Sequence, residues 1–308
     1  MSGRVRLSHR LEYAGFKLLS AGALGLAERR ADRVGAALGR TIARLGIRAD
    51  VVLDNLRHAF PEKDEAWIAR VARGSWEHLG REAVSILRLP AIPPAEWLAR
   101  VRYPEEEVAA LRAAVARGRG AVIVTGHFGS VEAAALTVTA LGIPLCAYFQ
   151  RLTNPLVDAE VERVRAALGI RLIDRRLGVR PGVEALQRGE AVAVVADQDA
   201  RTHGVFVPFF GRPASTHRGA AIMALRAQAP IFFGYARREG AGYLGGVREL
   251  EVTRQGETDD VVRRIIAAFT AQLEAVARTA PEQYFWQHRR WKSSPSPVPE
   301  EPVESAAV

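Results

Sequence analysis

A histidine and a glutamate stand five positions apart in a short, glycine-containing segment. His127 follows Gly126, and Glu132 comes after Gly129. On a regular helix, residues five apart are separated by about 140° around the axis, so they do not share a face. We therefore expect His127 in a turn, which the two glycines make possible, and Glu132 in the first turns of the next helix. Glu132 would then accept a hydrogen bond from one imidazole nitrogen and leave the other as a general base toward a hydroxyl group.

Such a pair supplies the base and the orienting acid of a catalytic triad, with the substrate's own oxygen as the nucleophile. No serine or cysteine nucleophile is needed. The same spacing also arises by chance, as a helix-capping histidine followed by a solvated glutamate. The position of His127, between two glycines and directly after a short apolar run, favours the catalytic interpretation.

The elements around this pair read as β-strands that alternate with α-helices. We predict strands at residues 121–125, 144–149, 171–173, 191–196, 230–236 and 248–253, and helices at 130–141, 154–168, 181–188, 216–228 and 259–279. This alternation predicts an α/β fold with a mainly parallel central sheet flanked by helices. Ligands collect at the carboxyl ends of the strands in such sheets. That rule selects the segments 126–132, 150–154, 174–176 and 197–203.

The first fifty residues differ from the rest in charge and pattern. They contain ten arginine or lysine residues against four acidic ones. Apolar residues spaced three or four apart predict two amphipathic helices over residues 9–47, lying on a membrane surface or on the protein's own core. The uncharged stretch 18–27 is too short to cross a bilayer, which takes about 20 apolar residues. We therefore divide the chain into N-terminal membrane-associated helices (1–50), a catalytic domain (51–292) and a disordered tail rich in proline, serine and glutamate (293–308).

The composition narrows the function classes. Of 308 residues, 48% are hydrophobic and 25% are charged, which is ordinary for a protein with a real core. The net charge of +9 suits nucleic acid, an anionic membrane or an acidic partner. Cys146 is the only cysteine, so an intrachain disulfide and a cysteine metal site are both excluded. Acidic residues and histidines show no metal-ligand spacing, and we predict neither a metal nor a cofactor.

Several blocks of the sequence resemble one protein family. Residues 126–132 (GHFGSVE) are similar to the His-x4-Glu signature of the bacterial lipid A late acyltransferases, which are relatives of the glycerolphosphate acyltransferases. Residues 197–199 (DQD) with 204–216 (GVFVPFFGRPAST) resemble the second block of that family, and residues 284–292 (YFWQHRRWK) resemble its C-terminal block. Further matches occur in the same order along the chain as in the family: Asn55-Leu56-Arg57 with Phe60-Pro61, His78-Leu79-Gly80-Arg81 and Asn154-Pro155. The resemblance covers roughly residues 10–292.

Two positions depart from the family's pattern. The family usually has asparagine where this chain has Ser130. It also usually has arginine four residues before the Asn-Pro pair, where this chain has Gln150. Arg151, directly beside Gln150, is the candidate to substitute for that arginine.

The resemblance implies a glycerolphosphate-acyltransferase-like fold and the transfer of an acyl chain from acyl carrier protein, or from acyl-CoA, to a hydroxyl group. The implied acceptor is a lipid A precursor or another membrane lipid. We expect the protein at the cytoplasmic face of the bacterial inner membrane, held peripherally or by a single N-terminal anchor. An anionic membrane surface is then a partner, and nucleic acid is not.

The resemblance and the strand-end rule together nominate residues for substrate binding beside the catalytic His127 and Glu132. These residues are Gly129, Ser130, Arg151, Asn154, Asp197, Asp199, Phe209, Arg212, Arg218, His288 and Arg289. Arg151, or the backbone N–H groups of residues 126–130, would stabilise the oxyanion that forms on a thioester carbonyl. Asp197 and Asp199 would orient an arginine or the acceptor, or would simply cap a loop.

The aromatic and basic candidates have alternatives of their own. Phe209, with its neighbours Phe206 and Phe210, would line the slot for the acyl chain or belong to the core. Arg212 and Arg218 would contact phosphate or the carrier. The segment 284–292, which holds His288 and Arg289, mixes aromatic and basic residues and is expected to pack beside the active site.

Three rival functions stay open on the sequence alone. The first is the same chemistry on a lysophospholipid or a phosphatidylinositol mannoside, with acyl-CoA as donor. The second is a basic nucleic-acid-binding protein, which would explain the charge and residues 284–292 but not the His127 turn. The third is a pseudoenzyme that tethers partners to the membrane.

Overall fold

The computed structural model describes residues 5–295. The α-helices in chain order are α1 (Leu7–Gly25), α2 (Glu28–Arg44), α3 (Ala49–Ala59), α4 (Glu65–Arg88), α5 (Pro94–Leu98), α6 (Glu105–Ala114), α7 (Val131–Ala140), α8 (Pro155–Ala167), α9 (Arg180–Gln187), α10 (Gly219–Arg226) and α11 (Thr258–Thr279). The strands are β1 (Val101–Arg102), β2 (Ala121–Thr125), β3 (Leu145–Phe149), β4 (Ile170–Asp174), β5 (Ala191–Val195), β6 (Val205–Phe209), β7 (Arg212–Thr216), β8 (Ile231–Glu239) and β9 (Gly242–Glu249).

In the described part of the chain, seven strands form one mostly parallel sheet in the order β1-β9-β8-β2-β5-β3-β4. β2 pairs in parallel with β5 on one side and with β8 on the other, and β8 and β9 form the antiparallel pair. The strands β6 and β7 form a separate antiparallel hairpin. The predicted α/β class with a mainly parallel central sheet flanked by helices is therefore confirmed.

The central strand β2 shows why this region folds as a buried parallel strand. All five of its residues are buried, and a strand covered on both faces reads as a continuous apolar run. Val122 and Val124 belong to the core cluster that includes α9, α10 and α11. Ala121 and Ile123, on the opposite face, belong to a second cluster beneath α6 and α7. The sheet thus has a helical layer on each face.

The N-terminal helices predicted over residues 9–47 are present as α1 and α2. α2 packs closely along α4 because both helices place glycine at the contact. A Cβ on Gly39 would lie 2.0 Å from the Trp76 carbonyl oxygen, and one on Gly80 would lie 2.1 Å from the Gly35 carbonyl oxygen. This approach, with backbone against backbone, fixes α4 against the N-terminal region.

α1 leaves an apolar stripe facing solvent. Leu7, Leu11 and Leu18 on this helix are 74%, 67% and 75% exposed. Over residues 5–295, none of the helices combines the length and the apolar character that a bilayer crossing requires.

Two parts of the secondary-structure prediction were wrong. The last strand of the sheet lies at Gly242–Glu249 and not at 248–253, because its glycines weaken the strand pattern. The hairpin of β6 and β7 was not predicted, since Pro208, Gly211 and Pro213 read as loop signals. Most of the tail predicted to be disordered, residues 296–308, lies outside the described residues.

Candidate active site

The turn between β2 and α7 is held by hydrogen bonds on every side. The backbone N–H of Phe128 donates to Gly126 O (2.8 Å), that of Gly129 to Gln283 O (2.9 Å), and that of Ser130 to Ala236 O (2.8 Å). The carbonyl oxygen of His127 accepts from Phe285 N–H at 2.9 Å. The segment after α11 therefore forms one wall of the turn, as the sequence analysis expected for residues 284–292.

Gly129 and Ser130 shape this turn. Gly129 has φ +59°, and a Cβ there would lie 2.1 Å from the Ala236 carbonyl oxygen. Ser130 is the N-cap of α7, where its Oγ accepts from Ala133 N–H at 3.2 Å. Both residues position His127 by fixing the backbone that carries it.

We expect Gly129→Ala to destabilise the protein, because the new Cβ would meet backbone and also occupy a left-handed conformation. The matched control is Gly142→Ala, at φ +79° with no atom within 4 Å of its Cβ. Gly142→Ala should lower the free energy of unfolding by about 1–2 kcal/mol, because alanine is strained in a left-handed backbone conformation. Gly129→Ala should lower the free energy of unfolding by ~1–3 kcal/mol more than the control does, because its Cβ would overlap the Ala236 carbonyl oxygen. Urea unfolding of both variants measures the difference, and equal losses would show that the close approach has no energetic weight.

His127 is hydrogen-bonded to Asp197, which follows β5. The distance from His127 Nδ1 to Asp197 Oδ1 is 2.7 Å, and the backbone N–H of His127 donates to Asp197 Oδ2 at 2.8 Å. Since β5 pairs directly with β2, the ends of these two strands lie side by side. The Asp197 side chain is 3% exposed and that of His127 is 35% exposed. The carboxylate is thus buried behind the ring, and Nε2 is left for a substrate.

This pairing shifts both groups away from their ordinary acidity. Burial opposes a charge on His127, but the charge of Asp197 and the hydrogen bond to it prevail and raise the pKa of His127. Burial also opposes ionisation of Asp197, yet the charge of His127 and the hydrogen bonds from it lower the pKa of Asp197 to about 2. Asp197 is therefore ionised at neutral pH and increases the basicity of the imidazole.

The carboxylate on Nδ1 is Asp197 and not Glu132, which corrects the geometry expected from the sequence. Glu132 lies in the first turn of α7, where it forms an ion pair with Arg165 of α8. The turn directs the imidazole toward the neighbouring strand β5, whereas the Glu132 side chain points toward α8. Glu132 still shares the groove with His127.

A groove of about 740 Å³ runs over the carboxyl edge of the sheet and contains His127. On one face of the sheet its walls come from α1, α4 and α8, including Phe16, Leu24 and Ile86. On the other face they come from the loops before α9 and α10, including Arg175 and His217. The groove therefore extends to both sides of the imidazole.

A second, apolar cavity of about 120 Å³ lies between α7 and the sheet. Its walls include Ile123 of β2, Ala147 of β3 and Ala193 of β5. The groove and the cavity share four lining residues: Glu132, Tyr148, Arg165 and Val195. The ion pair of Glu132 and Arg165 thus lies at the boundary between the two spaces.

His78 supports the turn from behind, a role that the sequence did not indicate. It lies in α4, is 7% exposed, and its Nε2 is 3.0 Å from Gly129 O. Burial lowers the pKa of His78, so the ring is neutral and donates from Nε2 to the carbonyl oxygen. His78 appeared in the sequence only as part of a block that resembles a family, with no chemical pattern to mark it.

The two candidates that follow β3 serve the architecture around the groove. Arg151 forms ion pairs with Asp158 (2.8 Å) and Glu162 (2.7 Å), so its charge is already satisfied. Asn154 caps α8, and its Nδ2 donates to His9 O at 2.9 Å. Asn154 therefore attaches α1 to the catalytic region.

Asp199 and His288 contact each other rather than His127. The Asp199 N–H donates to His288 Nε2 at 2.9 Å, and Ser293 Oγ donates to Asp199 Oδ2 at 3.0 Å. The contact ties the loop after β5 to the segment after α11. Arg289, beside His288, is exposed.

The remaining candidates lie in other surroundings. Phe209 is 0% exposed and packs on Phe210 and Trp291, with ring centroids 4.8 and 5.8 Å away. It belongs to the core and does not line the groove or the apolar cavity. Arg218 forms an ion pair with Asp259 at 2.5 Å, and Arg212 is exposed at the start of β7.

The sequence pointed to His127, but part of the surroundings of this residue carried no local signal. Asp197 was nominated, but for a different role, because only the strand order places it beside His127. Arg165 lies in an amphipathic helix. Arginines are common on the polar face of such a helix, so the sequence did not mark this one as part of the site. Arg175 followed a strand that was predicted correctly, within a segment selected by the strand-end rule.

Comparison with known proteins gives a consistent assignment. Residues 7–293 match the family model described as bacterial lipid A biosynthesis acyltransferase. The lipid A biosynthesis lauroyltransferase of Escherichia coli K12 is 28% identical over 275 residues, which cover 87% of each chain. The lipid A biosynthesis acyltransferase of Haemophilus influenzae is 26% identical over 174 residues, which cover 56% of this chain and 54% of that protein. The phosphatidylinositol mannoside acyltransferase of Mycolicibacterium smegmatis is 26% identical over 235 residues, 73% of this chain and 72% of that protein. Because the family match spans nearly the whole chain, the protein belongs to the bacterial lipid A biosynthesis acyltransferase family and is an O-acyltransferase.

Proposed function

We propose that this enzyme transfers a fatty acyl chain from a thioester of acyl carrier protein to a hydroxyl group of a lipid A precursor. The observation that carries this proposal is a partly exposed His127 whose Nδ1 is held by the ionised, buried Asp197 at the edge of a long groove. The geometry suits a general base that needs no protein nucleophile. The names of the relatives support the acceptor class.

In this mechanism the Nε2 of His127 takes the proton of the acceptor hydroxyl while the oxygen attacks the thioester carbonyl carbon. The new C–O bond forms, and the carbonyl electrons move to its oxygen. When that tetrahedral intermediate collapses, the C–S bond breaks, and the leaving thiolate takes the proton from the imidazolium. Asp197 stabilises the imidazolium between these two transfers. The products are an ester and a free thiol.

The developing oxyanion needs donors from the groove wall and not from the turn. The backbone N–H groups of residues 127–130 already donate to Asp197, Gly126, Gln283 and Ala236. Arg151 is occupied by two carboxylates. Gln198, directly after Asp197, lines the groove and carries an amide that can donate, so we propose it as the oxyanion donor.

We propose that the apolar cavity beneath α7 receives the hydrocarbon chain of the donor. Its lining is mostly aliphatic, and it borders the groove at the ion pair of Glu132 and Arg165. A chain that enters there would leave its thioester near His127. Phe209, which the sequence suggested for this purpose, is buried elsewhere.

Ala193→Leu should shift the enzyme toward shorter acyl donors, because Ala193 lines the cavity and the larger side chain would fill part of it. We expect kcat/KM for the longest accepted chain to fall ~10-fold or more, which is the worth of losing a few methylene contacts. The control is Ala110→Leu on the exposed face of α6. Competition among donors of different chain length, read by mass spectrometry, gives the profile. An unchanged profile in Ala193→Leu would place the acyl chain elsewhere.

We further propose that α1 lies on the cytoplasmic surface of the inner membrane. Leu7, Leu11 and Leu18 form its exposed apolar stripe, while Phe16 and Leu24 of the same helix line the groove. A lipid acceptor could then reach His127 directly from the bilayer surface. The basic N-terminal region favours an anionic surface.

An acyl-transfer assay with purified full-length protein tests the proposed function. The donors are acyl carrier protein and CoA thioesters, and the acceptors are a lipid A precursor, a lysophospholipid and a phosphatidylinositol mannoside. We expect ester formation on the lipid A precursor with the carrier-protein donor. Transfer to one of the other acceptors alone, or no transfer to any of them, would contradict the proposal.

A further inference from the structure

The groove has lining side chains on both faces of the sheet. Around α1 and α4 it is lined by apolar side chains such as Phe16, Leu24 and Ile86. Past the ends of β4 and β5, on the other face of the sheet, the lining includes Arg175, Gln198 and His217. His127 lies between these two ends. The end of the groove at Arg175 and His217 therefore offers polar side chains to a substrate.

We infer that the end of the groove formed by Arg175 and His217 is a phosphate subsite, which receives a phosphate group of one of the two substrates during acyl transfer. This inference rests on the proposed function, because it concerns how the substrates of that reaction are placed. It names a site separate from the imidazole, on the face of the sheet opposite the apolar cavity.

The first support is that Arg175, a positively charged residue of the groove lining, has no acidic partner among the described residues. The acidic side chains of the lining each have a cationic partner: Glu132 pairs with Arg165, Asp158 with Arg151, and Glu160 with Lys17 and Arg163. Among the ion pairs and side-chain hydrogen bonds of the described residues, Arg175 takes part in none. The carboxylate next to it, Asp174, is occupied by the guanidinium of Arg176 at 2.6 Å. Arg175 is thus a groove cation with its donors available.

The second support is the pair of arginines near His217. Burial lowers the pKa of His217, the charges of Arg175 and Arg290 lower it further, and the charges of Asp197 and Asp199 act in the opposite direction. Both guanidiniums are therefore close enough to repel a charge on the ring. An anion beside Arg175 would be attracted by both guanidiniums, while the carboxylates of Asp197 and Asp199 are already engaged by His127 and Ser293.

The third support is that the backbone before His217 is rigidly held. Arg290 is 2% exposed and donates from Nη1 to Ser215 O (2.6 Å) and from Nη2 to Thr216 Oγ1 (2.5 Å). These bonds fix the end of β7, which leads directly into His217. The buried guanidinium also adds a positive charge behind the subsite.

The chemistry matches a phosphate group better than a carboxylate or a neutral sugar. A guanidinium binds phosphate through two parallel N–H···O bonds, and a neutral imidazole adds one further hydrogen bond. Two sources supply this group in acyl transfer: a phosphate ester on the acceptor lipid and the phosphodiester of a phosphopantetheine arm on the donor. The same subsite chemistry serves either one, and the experiment separates them.

The test compares Arg175→Ala with the control Arg180→Ala, an exposed arginine that pairs with Glu184. Steady-state kinetics are measured with a lipid A precursor and its phosphatase-treated form, and with a carrier-protein thioester and a thioester of N-acetylcysteamine, which has no phosphate. For the phosphate-bearing substrate that uses the subsite, we expect Arg175→Ala to raise KM ~10–100-fold, as for loss of a charge-assisted hydrogen bond, with little change in kcat. With its phosphate-free counterpart, Arg175→Ala and wild type should agree.

The pattern identifies the source of the phosphate. An effect that vanishes with the phosphatase-treated acceptor assigns the subsite to the acceptor, and one that vanishes with the N-acetylcysteamine thioester assigns it to the donor. A loss that is equal for phosphate-bearing and phosphate-free forms of both substrates would overturn the inference. So would a KM indistinguishable from that of Arg180→Ala.

A binding measurement keeps this inference separate from the proposed function. The full-length protein in detergent is titrated with the lipid A precursor, with its phosphatase-treated form and with a carrier-protein thioester. We expect wild type to bind one phosphate-bearing probe ~10-fold or more tightly than Arg175→Ala does. If no acyl transfer is seen but this difference holds, the proposed function fails and the subsite stands. If transfer proceeds and Arg175→Ala binds every probe as wild type does, the subsite fails alone.

Discussion

His127→Ala is expected to lower the rate of acyl transfer by at least ~10²-fold, the usual worth of a positioned general base. The reason is that Nε2 of His127 is the group left available on a ring whose other nitrogen is fixed by Asp197. Turnover with saturating donor and acceptor measures the effect. The variant should still fold, but its thermal transition should fall, since the buried Asp197 keeps the backbone N–H of His127 as a donor and loses the imidazole.

A His127→Gln variant provides the matched control, because it keeps a hydrogen-bonding side chain but supplies no base. It should be as inactive as the alanine variant. Retention of wild-type turnover in both would exclude His127 as the base. Normal thioester binding without turnover in both would show that the substrates still reach the groove.

Asp197→Asn should be the second large loss, also of at least ~10²-fold, accompanied by a change in the pH profile. The active form of a general base is neutral, so activity rises as pH increases through the pKa of His127. Asp197 raises that pKa, and without its charge burial would lower it. The acid limb of kcat/KM should therefore move to lower pH in Asp197→Asn, while the maximal rate falls.

Glu132→Gln is the comparison that separates the two carboxylates. Glu132 pairs with Arg165 and is not the group on Nδ1, so its loss should leave the acid limb of the pH profile where it is in wild type. Activity can still fall in this variant, because Arg165 would lose its partner at the mouth of the apolar cavity. If instead Glu132→Gln moved the acid limb and Asp197→Asn did not, the carboxylate that raises the basicity of His127 would be Glu132.

The region after α11 braces the turn that carries His127. Residues 283–285 contact the turn through Gln283 O and Phe285 N–H, and the same region supplies His288 to the loop after β5. The two strand ends that carry His127 and Asp197 are thus braced by one C-terminal segment. Its aromatic and basic composition serves packing and buried hydrogen bonds in the described residues.

The local sequence pattern was sufficient to predict many of the helices and strands of this fold. A parallel strand that is buried on both faces must be apolar throughout, so β2 was visible as the run 121–125. Helices with one apolar face repeat every three to four residues, so α1, α2 and α11 were found within a few positions. The turn with His127 followed from glycines at the end of that strand. These features are decided by neighbours in sequence, which is why the sequence reveals them.

The partner of His127 was decided by the order of strands, which no local pattern encodes. Asp197 is 70 positions from His127 and lies beside it because β5, rather than β3, is the neighbour of β2. Glu132 is close in sequence, yet the turn sends its side chain toward Arg165 of α8. Phe209 was likewise ambiguous until packing against Phe210 and Trp291 placed it in the core.

Most elements, the fold class and the candidate histidine could be predicted from the sequence, because periodicity and turn chemistry act between residues close along the chain. The tertiary structure alone decided which carboxylate holds that base and which arginines stay free of internal partners. It also decided where an apolar chain and a phosphate can lie. Those properties arise when side chains from distant strands and helices meet at one edge of the sheet, where hydrogen bonds and ion pairs form between whichever groups the fold brings within reach.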